Sequence, residues 1–474
     1  MSQGPIWLAM RAAAVLGTVS ALVAMAPLQV AAAVEPPSTD VAAAPPDGPP
    51  APETAMRKDR GNCTVGGVLP NSDLAQPPPP AVALHLDQAH KFSTGTGVTV
   101  AVIDTGVKAQ PRLPGMIPGG DYVDGGDGFE DCDSHGTIVA GIIGAAPAPT
   151  DGLIGVAPDA RILAIRADSS SYTPENMASN PDDPNSSRTA LQIRTLARAV
   201  RHAADMGAKV ITVSLPACVK VTTPVDQAML GGALKYARDV KDALVVAAAG
   251  NSQGIDGGAG QQNCADNPGP DPSRPTDPRN WGGVTVISTP GWFDDLVLSV
   301  GFVSPDGLRA ENSMSGPWVD VAAPGTGIVS LSNTGEGVIN GVPGQDGLLV
   351  PIAGTSFAAA YVSGLAALLR SRFPQMSATE VAERILITAH APARGVDNVV
   401  GRGLIDPVAA LTYQVPVDRP TRTQSAELEL PPPPPAPDKA PKRAAALAIG
   451  LVVLAATAVA VVMVATGMHR KGRR

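Results

Sequence analysis

Aromatic side chains are scarce in this chain, 3% of 474 residues, although hydrophobic residues reach 44%. A core must therefore be built from Ala, Val, Leu and Ile, with glycines letting backbones approach closely. An excess of basic charge is missing too. Lys and Arg number 35 against 43 Asp and Glu, for a formal net charge of -8. No dense Lys/Arg stripe occurs outside the flanks of one apolar segment near the carboxyl terminus, so the long-range field offers a nucleic acid nothing to hold. Cysteines number four, Cys63, Cys132, Cys218 and Cys264, and no pair has zinc-ligand spacing. Neither metal nor cofactor is expected. A second Asp-Thr-Gly or Asp-Ser-Gly is also lacking. The aspartic-protease reading of Asp104-Thr105-Gly106 needs two carboxylates sharing a proton and would require a homodimer.

Proline, by contrast, occurs 48 times and is unevenly placed. Residues 1–33 carry Arg11, a nearly charge-free stretch from Ala12 to Ala26, then Ala31-Ala32-Ala33, the order of a secretory signal cleaved after Ala33. An uncleaved anchor helix is the alternative, but Pro27 and Gln29 interrupt the run. In an exported chain an even number of cysteines favours disulfides, with three connectivities open. Residues 34–80 form a Pro-rich extension ending in Pro77 to Pro80, expected to run as polyproline rather than to pack, and unsuited to be a folded intramolecular chaperone. A second Pro-rich stretch, 416–443 with Pro431 to Pro435, reads as a stiff linker. Beyond it, 444–467 is an uncharged run of about 24 residues, which as a helix reaches ~36 Å against a hydrocarbon core of ~30 Å. That predicts a transmembrane helix with a cytoplasmic tail at 468–474. Arg470, Lys471, Arg473 and Arg474 follow the run and Lys439, Lys442 and Arg443 precede it, so charge orients it weakly. The signal sequence places the main domain outside, anchored to the cell membrane by a single pass.

Between the two proline-rich segments, residues 81–415 alternate strand and helix patterns. Strands are expected at Val98 to Ile103, Ile162 to Arg166, Val210 to Leu215 and Leu244 to Ala249, and helices at Gly136 to Gly144, Thr189 to Met206 and Ser356 to Arg370. Such alternation predicts an α/β fold, a parallel sheet with helices on both faces. Asp168 to Arg188 reads as a surface insertion, and Gly254 to Arg279 as another polar stretch.

Chemistry-bearing residues stand at turns beside apolar runs. Asp104 ends a strand in Val-Ala-Val-Ile-Asp104-Thr105-Gly106, where a carboxylate projects at the carboxyl edge of the sheet. His135, in Asp-Ser-His135-Gly136-Thr137, opens a helix of small residues. A histidine there is ordinarily structural, but following a strand-end Asp by about 30 residues it is a candidate general base. The acidic residues before it, Glu130, Asp131 and Asp133, read as a solvated loop, with cation binding as the less favoured alternative. Ser356, in Gly354-Thr355-Ser356-Phe357-Ala358, sits where a helix amino terminus offers N–H groups and partial positive charge to a developing oxyanion. Gly-Thr-Ser alone is a helix cap. Asn251 closes the strand Ala247-Ala248-Ala249-Gly250-Asn251, where asparagine is usually a turn former.

Together, in this order, the segments resemble the subtilisin-like serine proteases (subtilases, peptidase family S8) across roughly residues 90 to 410. Signal, extension, cysteines, linker and carboxyl-terminal helix narrow the resemblance to the mycosins, membrane-anchored subtilases of mycobacterial type VII secretion systems. The resemblance implies a subtilisin-like fold and a serine endopeptidase with Ser356 as nucleophile, His135 as base and Asp104 orienting it. It makes Asn251 the oxyanion donor and Ser214 and Leu215 the substrate-binding edge. It pairs Cys63 with Cys132 and Cys218 with Cys264. Implied partners are exported protein substrates and the membrane complex of the secretion system, on its periplasmic side. An alternative is a scaffold of that complex with proteolysis dispensable. One departure stands out: subtilases commonly have Ser-Leu-Gly along the groove, and this chain has Ser214-Leu215-Pro216, which removes a backbone donor.

Overall fold

Every residue of the strand β1, Thr99–Asp104, is buried, which a strand sustains when both of its faces are covered. In the computed structural model, residues 34–414 are described except 36, 60, 62, 176–182, 253–263, 272, 345 and 394, together with 448, 451–460 and 462–463. The remaining strands of the main sheet are β2 (Ile117–Asp121), β3 (Arg161–Arg166), β4 (Val210–Val213), β5 (Leu244–Ala248), β6 (Val297–Val303) and β7 (Val321–Pro324). They run in the order β7-β6-β5-β4-β1-β3-β2, parallel at each pairing. Parallel neighbours need crossovers, and helices supply them.

Alternation along the strands sorts two cores. Val100, Val102, Val210, Leu244 and Val246 pack with helices α1 (His135–Gly144) and α4 (Thr355–Arg372). Ala101, Ile103, Ile211, Val213 and Val245 pack with α2 (Arg188–Asp205) and α3 (Ala228–Asp239). The expected fold, helices on both faces of a parallel sheet, is what forms. α1 is buried from Gly136 to Gly144 and α4 from Thr355 to Arg370. A helix apolar all round belongs to an interior, and these two carry the turns at which His135 and Ser356 stand.

The extension does not hang free as its composition suggests. Val41–Ala43 forms a short 3-10 helix lying on α3. The approach is so close that a Cβ on Gly232 would fall 2.3 Å from the Ala44 nitrogen. Along α2, Arg201 donates to the Pro45 carbonyl, Arg198 to the Ala51 carbonyl, and Arg194 pairs with Glu53 at 2.6 Å. Met56–Lys58 then adds antiparallel to Tyr172–Pro174. Cys63 is bonded to Cys132, and Gly67 bridges Gly341. Polyproline-like backbone makes no internal hydrogen bonds, so its polar groups are free to bond the domain. Part of the expected surface insertion is likewise built in, for Ser169, Ser171 and Tyr172 are buried.

By internal packing the chain divides at residue 415. In the second unit the described residues 448, 451–460 and 462–463 are helical. Among the described residues no helix is long and apolar enough to cross a membrane. The signal at 1–33, the linker at 416–443, the tail at 468–474 and much of the expected spanning segment at 444–467 lie outside the described residues.

The Arg194–Glu53 pair holding the extension is largely exposed and contributes about 0–1 kcal/mol, whereas the Cys63–Cys132 crosslink closes a long loop worth ~4 kcal/mol in the chain-entropy model. Replacing both cysteines by serine should therefore speed tryptic cleavage at Arg57 and Lys58 well before the main sheet melts by circular dichroism. Equal acceleration of cleavage in extension and core would contradict this.

Candidate active site

β1 ends on Asp104 at the carboxyl edge of the sheet, and Ser134, the residue before His135, starts the next segment of the site at φ 67°. A left-handed serine costs ~1–3 kcal/mol and persists where surroundings hold it. Its hydroxyl donates to the Thr64 carbonyl of the extension at 2.9 Å, beside the Cys63–Cys132 bond. The turn delivers His135 to Asp104, with Nδ1 2.7 Å from Oδ1. Thr105 N–H donates to the same oxygen at 2.7 Å. A carboxylate accepts, so the imidazole proton sits on Nδ1 and Nε2 keeps its lone pair. Close approach of the two segments needs Gly136, where a Cβ would fall 2.0 Å from the Gly106 carbonyl oxygen and 3.1 Å from Asp104 Oδ1.

Ser356, in the first turn of α4, is buried. The rings of Phe357, the next residue, and His135 lie 5.3 Å apart, so the imidazole and this turn are neighbours. The Ser356 hydroxyl donates to the Ser214 carbonyl at 2.8 Å. Asn251 Oδ1 accepts from both the backbone N–H and the hydroxyl of Thr355, each at 2.9 Å. Its Nδ2 is the nearest atom to the site of a Cβ on Gly354, at 3.2 Å. Gly354 has φ 149°, outside the usual range of L side chains. Asp104, His135, Asn251, Ser214 and Ser356 are thus gathered at one rim.

Leu215 lines a crevice with Ile103, Asp168, Gln192, Ile193 and Pro216. Directly after Pro216 the chain turns into Ala217–Lys220, which pairs antiparallel with Val286–Thr289. Cys218 of that strand is bonded to Cys264. Pro216 stands where the backbone departs into another sheet, which gives the departure from Ser-Leu-Gly a structural setting.

The acidic loop before His135 is not uniformly solvated. Glu130 is exposed, facing Arg166 at 3.8 Å. Asp131 is buried and accepts from the Thr105 hydroxyl at 2.9 Å, Asp133 N–H at 3.0 Å, Thr137 N–H at 2.9 Å and the Thr137 hydroxyl at 2.6 Å. Asp133 accepts from the Ser169 hydroxyl at 2.5 Å and from Ser170. Among the described residues no group of His, Cys, Asp and Glu is arranged to hold a metal ion. Burial pushes the Asp131 carboxyl up to about 6, against the threonine hydrogen bonds. For His135 burial acts to lower the pKa, but the charge and hydrogen bond of Asp104, with Asp131 and Asp133 behind it, outweigh burial and raise it.

The profile of the Subtilase family matches residues 95–403. Mycosin-1 of Mycobacterium tuberculosis is 52% identical over 389 residues, covering 81% of this chain and 84% of that protein. The crystal structure of MycP1 from Mycobacterium smegmatis shares 49% identity, with a TM-score of 0.77 over 84% of this chain and 100% of that one. A chain of the intact ESX-5 inner membrane complex shares 44% identity, with a TM-score of 0.77 over 90% of this chain and 99% of that one. The chain therefore belongs to the subtilase family of serine endopeptidases and, within it, to the mycosins.

Raised in the folded state, the His135 pKa adds stability that is complete below its unfolded value of ~6.5 and is lost as pH rises through the folded value. A site-resolved NMR titration should place its midpoint above ~6.5, and Asp104→Asn should bring it down, because burial then meets less opposition. A midpoint below the ordinary value in the unsubstituted chain would contradict the assignment.

Proposed function

We propose that this chain is a membrane-anchored, extracytoplasmic endopeptidase in which Asp104, His135 and Ser356 form the catalytic triad, cleaving selected exported proteins of a type VII secretion system. The observation that supports it most is the Asp104–His135 contact of 2.7 Å at the same rim as Ser356. Ser356 Oγ attacks the scissile carbonyl while His135 Nε2 takes its proton, and Asp104 holds the tautomer and stabilises the imidazolium. The hydroxyl first leaves the Ser214 carbonyl. A substrate N–H that takes over that carbonyl frees Oγ to turn to the imidazole. The Ser356 N–H and the Asn251 amide then receive the negative charge of the tetrahedral oxygen. Ser214 and Leu215 form the edge along which the peptide lies.

The signal at 1–33 exports the chain, and 444–467 anchors it with the protease on the periplasmic side. The N-terminal extension stays attached through Cys63–Cys132. A scaffolding role in the secretion complex is a second reading, favoured by the ESX-5 inner membrane complex, in which a chain of similar fold is found.

A serine-directed fluorophosphonate should label the full chain and fail on Ser356→Ala; labelling that survives the substitution refutes the nucleophile. Asn251→Ala should lower kcat by roughly 10²–10³-fold, the loss known for the corresponding donor of subtilisin itself. The acid limb of kcat/KM should fall above pH ~6.5, following the raised imidazole. Secretion that persists in a Ser356→Ala strain but ceases on deletion of the whole chain would separate scaffolding from proteolysis.

A further inference from the structure

We infer that Asp131 is a positioning residue for proton transfer: its buried carboxylate ties the end of β1 to the first turn of α1 and so sets the approach of Asp104 to His135. This rests on the triad reading given above.

The connections run through the immediate neighbours of both members of the pair. Asp131 Oδ1 takes the hydroxyl of Thr105, the residue after Asp104, at 2.9 Å. That hydroxyl oxygen in turn accepts the N–H of Gly136, the residue after His135, at 3.0 Å. Oδ2 takes both donors of Thr137, and the Thr137 hydroxyl oxygen accepts the Lys108 N–H at 2.9 Å. Asp131 is thereby bonded on both sides of the Asp104–His135 contact. A neutral loop would need no such centre, and a buried carboxylate is costly unless its oxygens are satisfied.

Charge adds a second effect. The charged groups facing Asp131 are Asp104 from β1, Asp133 from its own loop and His135 from α1, with Asn333 covering its backbone carbonyl at 3.0 Å. An imidazolium formed during turnover is the cation within this group. Asp131 therefore helps hold the proton once His135 has taken it, as the contribution of Asp131 to the raised imidazole pKa indicates.

Asp131→Asn keeps the shape while removing the charge and replacing an acceptor by an amide that faces the Thr137 N–H. The test measures kcat, KM and the rate of fluorophosphonate labelling across a pH series, on the full chain in membranes. The expected result is a kcat at least tenfold lower, toward the ~10²-fold cost of misplacing a reacting group by 1 Å. KM should stay nearly unchanged and the acid limb should move to lower pH. A variant with lowered melting temperature but unchanged kcat and acid limb would reduce Asp131 to a structural role and overturn the inference. Should Asp131→Asn not fold, Thr105→Val and Thr105→Ser decide: the valine must lose kcat and the serine, which keeps the hydroxyl, must retain it. Equal activity of the two overturns the inference. If the unsubstituted chain itself is not labelled, the triad reading fails first.

Discussion

The contact on which the structure turns is the one between a strand end and a helix start, Asp104 Oδ1 to His135 Nδ1. It requires β1 to stop at one residue, neither sooner nor later, because a shift by one would turn the carboxylate to the opposite face. Burial on both faces fixes that stopping point: Val102 and Ile103 must enter different cores, so the register cannot slide without exposing one of them. α1 then has to start beneath the strand end, and it is small at Gly136 for that reason.

Around this contact the sheet supplies the strand ends, and the turns that follow them carry the rest of the site. Ser356 and Asn251 come from elements on the other side of β1 in the sheet, and Thr355 locks the asparagine to the helix start. The hydroxyl of Ser356 rests on the Ser214 carbonyl, and under the mechanism proposed above this is the carbonyl that a bound peptide takes over. Under that mechanism, binding and activation are joined at one oxygen atom.

Much of this was legible in the sequence because it is local. The strand before Asp104, the glycine beside His135 and the helix after Gly354 each declare themselves within a few residues, and the observed helix Thr355–Arg372 lies close to the pattern that announced it. What stayed hidden depends on pairing across distance. Asp131 reads as one more acid in a polar loop, because nothing nearby says that Thr105 will bring it a hydroxyl 26 positions back in the chain. Proline content says only that the extension is drawn out. It cannot say that Gly232 on α3 and a row of arginines on α2 will receive it. The one local signal for Asp131 is an acid four residues before the histidine, with Thr137 two residues beyond it as a donor.

The disulfide between Cys63 and Cys132 also governs what a proteolytic nick does to the molecule. A cut anywhere between those two cysteines splits the polypeptide without parting the fragments, so maturation at such a site would leave one particle of undiminished mass, distinguishable on a gel after reduction. Processing and release are separate events in a protein stitched in this way, and the second awaits a thiol.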